Sequence, residues 1–153
     1  MLDQLQNVFA SFRKNDVKYL VIGGIAAVMY GVPRATFDLD VLIEPTAENA
    51  ERLLKAMIEA GLGTASLTTV DDVLSKEITI FTDRIRLDVQ TSTPGLVFRE
   101  AWSRRVTMNY KGQTLEVVSL TDLIASKQAS GRAVDLEDVR ILQSKDVNST
   151  RED

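Results

Sequence analysis

The chain has 153 residues, contains neither cysteine nor histidine, and carries a net charge of −4 from 18 Lys and Arg against 22 Asp and Glu. The lack of cysteine excludes disulfide bonds and thiolate metal sites. The lack of histidine removes the commonest zinc ligand and the usual general base. The acidic balance argues against an extended nucleic-acid coat, which depends on many Lys and Arg contacts to phosphate. Any chemistry must therefore use carboxylates, Lys, Arg, hydroxyl groups or an oxygen-bound metal.

The composition, with 44% hydrophobic and 26% charged residues, is that of an ordinary globular protein. We expect one domain over residues 1–143 and a frayed polar tail at residues 144–153. Residues 1–16 lack the apolar segment of a signal peptide, and no apolar run approaches the eighteen or so residues of a membrane span. The sequence thus predicts a cytoplasmic protein without a membrane partner.

The first sixty or so residues alternate between helical and strand patterns. They predict a helix, a strand, a helix, a strand and a helix at residues 2–14, 17–24, 25–31, 37–44 and 46–60. The second helix is expected to end at Gly31, shortly before Pro33. The third has Thr46 as its predicted N-cap and Gly61 as its end.

The rest of the chain is weakly patterned at first and then regular. Within residues 62–76 a short helix is predicted at 69–76. Two hairpins and two helices follow at residues 77–91, 104–118, 119–130 and 133–143. Their connecting turns are predicted at residues 82–83, 111–112 and 131–132. This order predicts an α+β domain in which helices cover a mixed sheet.

Two aspartates, Asp38 and Asp40, lie two residues apart in the predicted strand 37–44. Because side chains alternate along a strand, both carboxylates project from one face, separated by roughly 6.5 to 7 Å. Two such anions repel each other, and a cation is the simplest compensation. Mg²⁺ prefers carboxylate oxygens, water and substrate phosphates, so the pair is suited to a metal–nucleotide complex. A solvated strand face or a turn-capping aspartate is the alternative.

Asp88 is a third candidate acid. It lies on the polar face of a later strand whose opposite face carries Ile85, Leu87 and Val89. Three acids from two strands can hold two metal ions about 4 Å apart, the arrangement used for in-line phosphoryl displacement. Taken alone, Asp88 also fits a solvated strand position.

A glycine pair precedes the acids. Gly23 and Gly24 close the first strand, where they let the backbone approach phosphate and lead into a helix whose N–H groups can face it. Arg34 and Thr36 add a guanidinium and a hydroxyl suited to triphosphate oxygens. The alternatives are a tight turn selected only for packing and a surface loop.

Together these residues resemble the motif of the minimal nucleotidyltransferases of the DNA polymerase beta superfamily, especially the group related to bacterial toxin–antitoxin and abortive-infection nucleotidyltransferases. The motif covers residues 19–43, and the order of elements matches through about residue 143. The resemblance is carried by Gly23, Gly24, Gly31, Pro33, Arg34, Thr36, Asp38, Leu39, Asp40 and Asp88. It implies a nucleotidyltransferase-like mixed sheet flanked by helices, with further helices at the C-terminus.

The same resemblance implies transfer of a nucleoside monophosphate from an NTP to an acceptor hydroxyl, with release of pyrophosphate. Asp38 and Asp40 would bind Mg²⁺, with Mn²⁺ as a substitute and two ions expected, while Asp88 would complete the metal site and activate the acceptor. The glycine pair would hold the triphosphate. This chain has Gly-Gly where Gly-Ser is typical, so backbone N–H groups or Thr36 would have to replace the serine hydroxyl.

Residues 119–139 also resemble the trailing helices of this group. Lys127 lies beside the apolar stripe of its helix, from which it could reach a triphosphate or extend to solvent. Arg132, Asp135 and Asp138 follow as weaker site candidates, and capping or a surface ion pair would explain them equally well.

Three functions are compatible with these residues. The first is a metal-dependent nucleotidyltransferase whose acceptor is a protein, a tRNA end or a small molecule. The second is a non-catalytic or regulatory nucleotide-binding module of a toxin–antitoxin type system, which would bring a protein partner. The third is a carboxylate-dependent nuclease or phosphohydrolase, which would not need the glycine turn together with Arg34.

Overall fold

The structure is a computed structural model that describes the backbone of residues 2–152 and the side chains of residues 5–145. Its helices are α1 (Leu2–Lys14), α2 (Gly23–Met29), α3 (Ala47–Glu59), α4 (Val70–Leu74), α5 (Phe98–Ser103), α6 (Leu120–Ser130) and α7 (Ala133–Glu152), with a 3₁₀ helix at Gly63–Leu67. Its strands are β1 (Tyr19–Ile22), β2 (Asp38–Ile43), β3 (Ile78–Thr82), β4 (Arg86–Gln90), β5 (Val106–Tyr110) and β6 (Gln113–Val117).

The strands form one mixed sheet in the order β3-β4-β2-β1-β6-β5. β2 and β4 are parallel, as are β1 and β6, whereas the β1–β2, β3–β4 and β5–β6 pairs are antiparallel. Helices flank the sheet, and α6 and α7 close the C-terminal end of the chain. The predicted α+β architecture with a mixed sheet is therefore confirmed.

The core follows the strand alternation that the sequence shows. Leu39, Val41 and Ile43 of β2 are each exposed by 1% or less, and the helices α1 and α3 contribute Phe9, Phe12, Leu53 and Met57 to the same cluster. Asp38 and Asp40 project from the other face of β2 and are partly exposed. The alternation thus separates a buried apolar face from a face available for chemistry.

Local capping and turn features explain most of the predicted helix ends and hairpin turns. The hydroxyl of Thr46 accepts a hydrogen bond from the N–H of Asn49 and caps α3 as predicted. Lys111 and Gly112 both take positive φ and form the predicted tight turn between β5 and β6. The short helix expected within residues 69–76 is α4, and Gly131 takes a left-handed conformation after α6.

Four details differ from the sequence prediction. The first strand ends at Ile22 rather than at residue 24, because Gly23 takes a φ of +68° and already begins α2. The hairpin turn between β3 and β4 lies at residues 83–85. The short helix α5 was not predicted. Finally, α7 continues to Glu152 instead of ending near residue 143, since neither glycine nor proline interrupts its polar second half; Asp153 lies outside the described residues.

None of the helices described combines the length and the apolar character needed to cross a membrane.

Candidate active site

The pairing of parallel strands brings the predicted acids together. Asp40 on β2 lies directly opposite Asp88 on β4, and Asp38 occupies the neighbouring position on the same face of β2. On the other side of β2, Asp40 lies opposite Ile22, the last residue of β1. The glycine turn that follows β1 therefore comes directly beside Asp40.

Both glycines lie at this close approach, and Gly23 is the more tightly constrained of the two. An added Cβ at Gly23 would lie 2.5 Å from a carboxylate oxygen of Asp40, and its φ of +68° already favours glycine. An added Cβ at Gly24 would lie 2.8 Å from Oγ1 of Thr36 and 3.3 Å from Nη2 of Arg34. The turn thus packs against the acids on one side and against Thr36 and Arg34 on the other.

A cavity of about 310 Å³ joins these groups. Every predicted site residue except Asp138 lines it, and so do Arg86, Gln90, Thr93, Ser126 and Ser130. Residues separated by a hundred positions in the sequence therefore meet in one cleft, with the acids and the glycine turn on one wall and α6 and the start of α7 on the other.

The carboxylates of this cleft are not fully compensated by positive charge. Burial and the negative charges of Asp88 and Asp38 raise the pKa of Asp40 to about 7, while Arg132 and Arg86 oppose this shift only partly. A carboxylate in this condition is stabilised by an added cation. The electrostatics of the acid face therefore favour binding of a positive ion.

Arg86 is a residue of the cleft that the sequence reasoning did not select. Its Nε lies 3.0 Å from Oδ1 of Asp88 and 3.9 Å from Oδ2 of Asp38, and its Nη2 lies 3.3 Å from Oδ2 of Asp88. The guanidinium thus holds Asp88 through two hydrogen bonds. Its position two residues before Asp88, on the same strand face, was the available signal.

The acids fit a divalent cation in donor chemistry but only partly in geometry. Carboxylate oxygens suit Mg²⁺ and Mn²⁺, and burial, together with the charges of Asp88 and Asp38, raises the pKa of Asp40. Among the side chains described, no three acidic groups converge closely enough to hold a metal ion. Asp40 and the weakly paired Asp38 are the groups best placed to hold one, and Asp88 could join them once Arg86 moves away.

A second ionic cluster lies in the wall of the cleft that α6 and α7 form. Nζ of Lys127 lies 3.1 Å from Oδ1 of Asp135 and 2.9 Å from Oδ2 of Asp138, and the Lys127 side chain is only 4% exposed. Asp135 also accepts hydrogen bonds from Oγ of Ser130 and Nε of Arg132. Burial acts to raise the pKa of Asp135, but these hydrogen bonds and the Lys127 charge bring it below its usual range.

This cluster differs from the alternatives considered for its members. Lys127 does not extend to solvent, because its ammonium is held between two buried carboxylates. Asp135 and Asp138 are 3% and 2% exposed, so they are not members of a surface ion pair. Arg132, by contrast, has a side chain that is 74% exposed at the rim of the cleft.

Comparison with known proteins places the chain at the family level. Residues 1–149 match the family described as nucleotidyltransferase of unknown function (DUF6036). Among solved structures, the fold is similar to that of an antigenic nucleotidyltransferase-like protein from Paracoccidioides brasiliensis, with a TM-score of 0.56 and 16% identity, covering 92% of this chain and 74% of that one. No curated protein matches the sequence. The chain therefore belongs to the family described as nucleotidyltransferase of unknown function, and its fold is nucleotidyltransferase-like.

Proposed function

We propose that this protein is a metal-dependent nucleotidyltransferase, which moves a nucleoside monophosphate from an NTP to an acceptor hydroxyl and releases pyrophosphate. The observation that carries the proposal is the juxtaposition of Asp40 and Asp88 on adjacent strands, directly beside the glycine turn that follows β1. The family match supports the same class of reaction.

The glycine turn and its neighbours form the triphosphate side of the cleft. Because Gly23 and Gly24 carry no side chains, the phosphates can approach the backbone here. Arg34 and Thr36, which pack against Gly24, supply N–H and O–H donors to the phosphate oxygens. Lys127 lines the same cavity, and its direct contact with the triphosphate stays a prediction.

Asp38, Asp40 and Asp88 form the reaction side. They would hold Mg²⁺ or Mn²⁺, as one or two ions, which when bound would neutralise the triphosphate and favour attack at the α-phosphorus. Asp88 would accept the proton of the acceptor hydroxyl as its oxygen bonds to the α-phosphorus. The bond from that phosphorus to the bridging oxygen breaks, and the electron pair leaves with pyrophosphate.

One observation favours a second candidate, a nucleotide-binding module without transferase activity. Arg86 engages Asp88 through two hydrogen bonds, so the third acid is already satisfied in this conformation. Such a module would bind an NTP and act through a protein partner, as in a toxin–antitoxin type system. The two candidates share the triphosphate side of the cleft and differ in whether Asp88 is released.

Label transfer separates these candidates. The protein is incubated with each α-³²P NTP, with Mg²⁺ or Mn²⁺, in the presence of tRNA, candidate protein partners or hydroxyl-bearing small molecules, and pyrophosphate release is measured. We expect a labelled acceptor and equimolar pyrophosphate from the wild type, and neither from Asp38→Asn/Asp40→Asn. Glu48→Gln/Glu51→Gln on the exposed face of α3 is a control with the same change of charge.

The outcomes distinguish three functions. Metal-dependent binding of NTP without transfer to any acceptor would favour the non-catalytic module. Release of free NMP would indicate a hydrolase. Transfer that survives the loss of both aspartates would contradict the proposed roles of these residues.

A further inference from the structure

Arg34 is the cation that packs against the glycine turn, and its position is set from outside the cleft. Its Nη2 lies 3.3 Å from the point where a Cβ of residue 24 would be, and its side chain is 33% exposed. The same Nη2 donates a hydrogen bond of 2.8 Å to Oδ2 of Asp138 on α7. A partly exposed guanidinium is thus fixed by a carboxylate that does not line the cavity.

Asp138 is well suited to hold Arg34 in a fixed place. Its side chain is 3% exposed, and the oxygen that accepts from Arg34 also lies 2.9 Å from Nζ of Lys127. Lys127 is in turn paired with Asp135, which also binds Arg132, so Asp138 is the buried carboxylate that links Lys127 to Arg34. A buried, fully paired carboxylate has little freedom to move, and neither does the group it binds.

A guanidinium has five N–H donors in a rigid fork. Among the side chains described, Asp138 is the one that accepts a hydrogen bond from Arg34, and the donor atom is Nη2 of Arg34. Four of the five N–H donors are therefore left without a described side-chain acceptor, and Arg34 itself lines the cavity. The ion pair therefore orients Arg34 without consuming its capacity to bind an anion.

We propose that Asp138 is a positioning residue for triphosphate binding, which holds the guanidinium of Arg34 over Gly24 and is itself fixed by Lys127. This inference rests on the proposed function, since it assigns the triphosphate to the Arg34 side of the cleft. It also means that α7, which lies a hundred residues from the glycine turn in sequence, completes that part of the site.

Asp135 provides a matched comparison. It lies on the same helix, three residues before Asp138, is equally buried and contacts the same Lys127. It bonds Ser130 and Arg132 instead of Arg34. Removal of either carboxylate disturbs the buried cluster, but only removal of Asp138 frees Arg34.

The test is a double-mutant cycle on binding of a non-hydrolysable α,β-methylene NTP with Mg²⁺, measured by calorimetry. We expect Asp138→Asn and Arg34→Gln each to weaken binding about tenfold, as for loss of a hydrogen bond to a charged group, and the double variant to be no weaker than either. Asp135→Asn and Arg34→Gln should instead combine multiplicatively. Multiplicative effects of Asp138→Asn and Arg34→Gln, or unchanged binding by a folded Asp138→Asn, would overturn the proposal.

Two further arms keep the test decisive. If Asp138→Asn does not fold, Asp138→Glu preserves the charge and displaces the carboxylate by one methylene. This variant should still weaken binding, and wild-type affinity would refute positioning.

Nitrogen-15 NMR of the arginine side chains measures the rotation of the Arg34 guanidinium in the absence of nucleotide. We expect restricted rotation of its guanidinium in the wild type and free rotation in the Asp138 variant, and free rotation in the wild type would overturn the proposal.

The proposed function fails in a different way. If wild-type protein binds no NTP with Mg²⁺, the nucleotide site itself is refuted, and with it the positioning role toward a triphosphate. If the wild type binds NTP and Asp138 variants bind equally well, the nucleotide site stands and only the role of Asp138 is lost.

Discussion

The cleft joins two acidic regions that have different surroundings. Asp38, Asp40 and Asp88 lie on the sheet with one partly exposed arginine between them, whereas Asp135 and Asp138 are buried and paired with Lys127 and further donors. The pKa of Asp40 is raised, and that of Asp135 is lowered. Positive charge compensates the first region only in part, whereas both carboxylates of the second region are paired with cations. We interpret the first as a place for a ligand cation and the second as the support that positions the opposite wall.

The largest expected effect concerns the paired region. Lys127→Met would leave two buried carboxylates without their shared cation, and we expect the free energy of unfolding to fall by about 3–5 kcal/mol. Urea denaturation at pH 7 measures this, with Lys55→Met on the exposed face of α3 as the control. A loss below about 1 kcal/mol would show that the cluster is not a supporting element.

The region of Asp38, Asp40 and Asp88 should respond in the opposite direction. The pKa of Asp40 is about 7 in the folded protein against 3.8 ordinarily, so the folded state binds its proton more tightly than the unfolded state. Its contribution therefore lowers stability as pH rises from about 4 to 7. In metal-free buffer at pH 8 we expect Asp40→Asn to raise the free energy of unfolding by about 3 kcal/mol, and by little at pH 4.

Chemical denaturation from pH 4 to pH 8 measures the difference in the free energy of unfolding between the wild type and Asp40→Asn. Asp71→Asn, exposed on α4, serves as the control for removal of one carboxylate charge. If Asp40→Asn is destabilising at pH 8 without metal, the acid face is already compensated and the contrast between the two regions is wrong.

Substitution of its two glycines tests the turn that lies beside the region of Asp38, Asp40 and Asp88. Gly23→Ala combines a positive φ with a contact to the Asp40 carboxylate, and we expect a loss of about 2–3 kcal/mol. At Gly24→Ala the shortest contact is to the Thr36 hydroxyl, which can rotate, while Nη2 of Arg34 lies 3.3 Å away, so the cost should be about 1 kcal/mol. Urea denaturation midpoints give the order, and the reverse order would contradict the described packing of the turn.

The smallest expected effect concerns Arg86. Among the residues described, it is the cation that forms ion pairs with Asp38 and Asp88. Arg86→Gln removes the competitor for Asp88, so Mn²⁺ binding without nucleotide should tighten by a few-fold, on the order of 1 kcal/mol. Electron paramagnetic resonance of free Mn²⁺ measures this, with the neighbouring Arg84→Gln as a matched control. Weaker Mn²⁺ binding by Arg86→Gln would mean that the arginine supports the site instead of closing it.

Much of the fold follows from local patterns, because strand alternation and helix caps act over a few residues. The buried face of β2, the cap at Thr46 and the turn at Lys111 were all predictable in this way. The short helix α5 was missed because Val97 at its start provides no side-chain cap. The extension of α7 was missed because its second half carries no apolar stripe to mark it.

The residues that form the site were easier to predict from the sequence than the side chains to which they are bonded. The motif selected the acids and the glycine turn, and the strand register brings them together. The burial of Lys127 depends on where α7 packs, which no periodicity within α6 reveals. Whether Arg86 extends to solvent or binds Asp88 likewise depends on side-chain packing in three dimensions, which the local sequence pattern does not show.

Calorimetric titration of the wild type with each NTP, with and without Mg²⁺, tests the central claim most directly. Asp38→Asn/Asp40→Asn and the charge-matched Glu48→Gln/Glu51→Gln are titrated in parallel. We predict that Mg²⁺ strengthens NTP binding to the wild type and to the control, and that this gain is lost when the two strand aspartates are replaced. Binding that is indifferent to Mg²⁺, or equal in the Asp38→Asn/Asp40→Asn variant, would contradict the assignment of the acid face as a metal–nucleotide site.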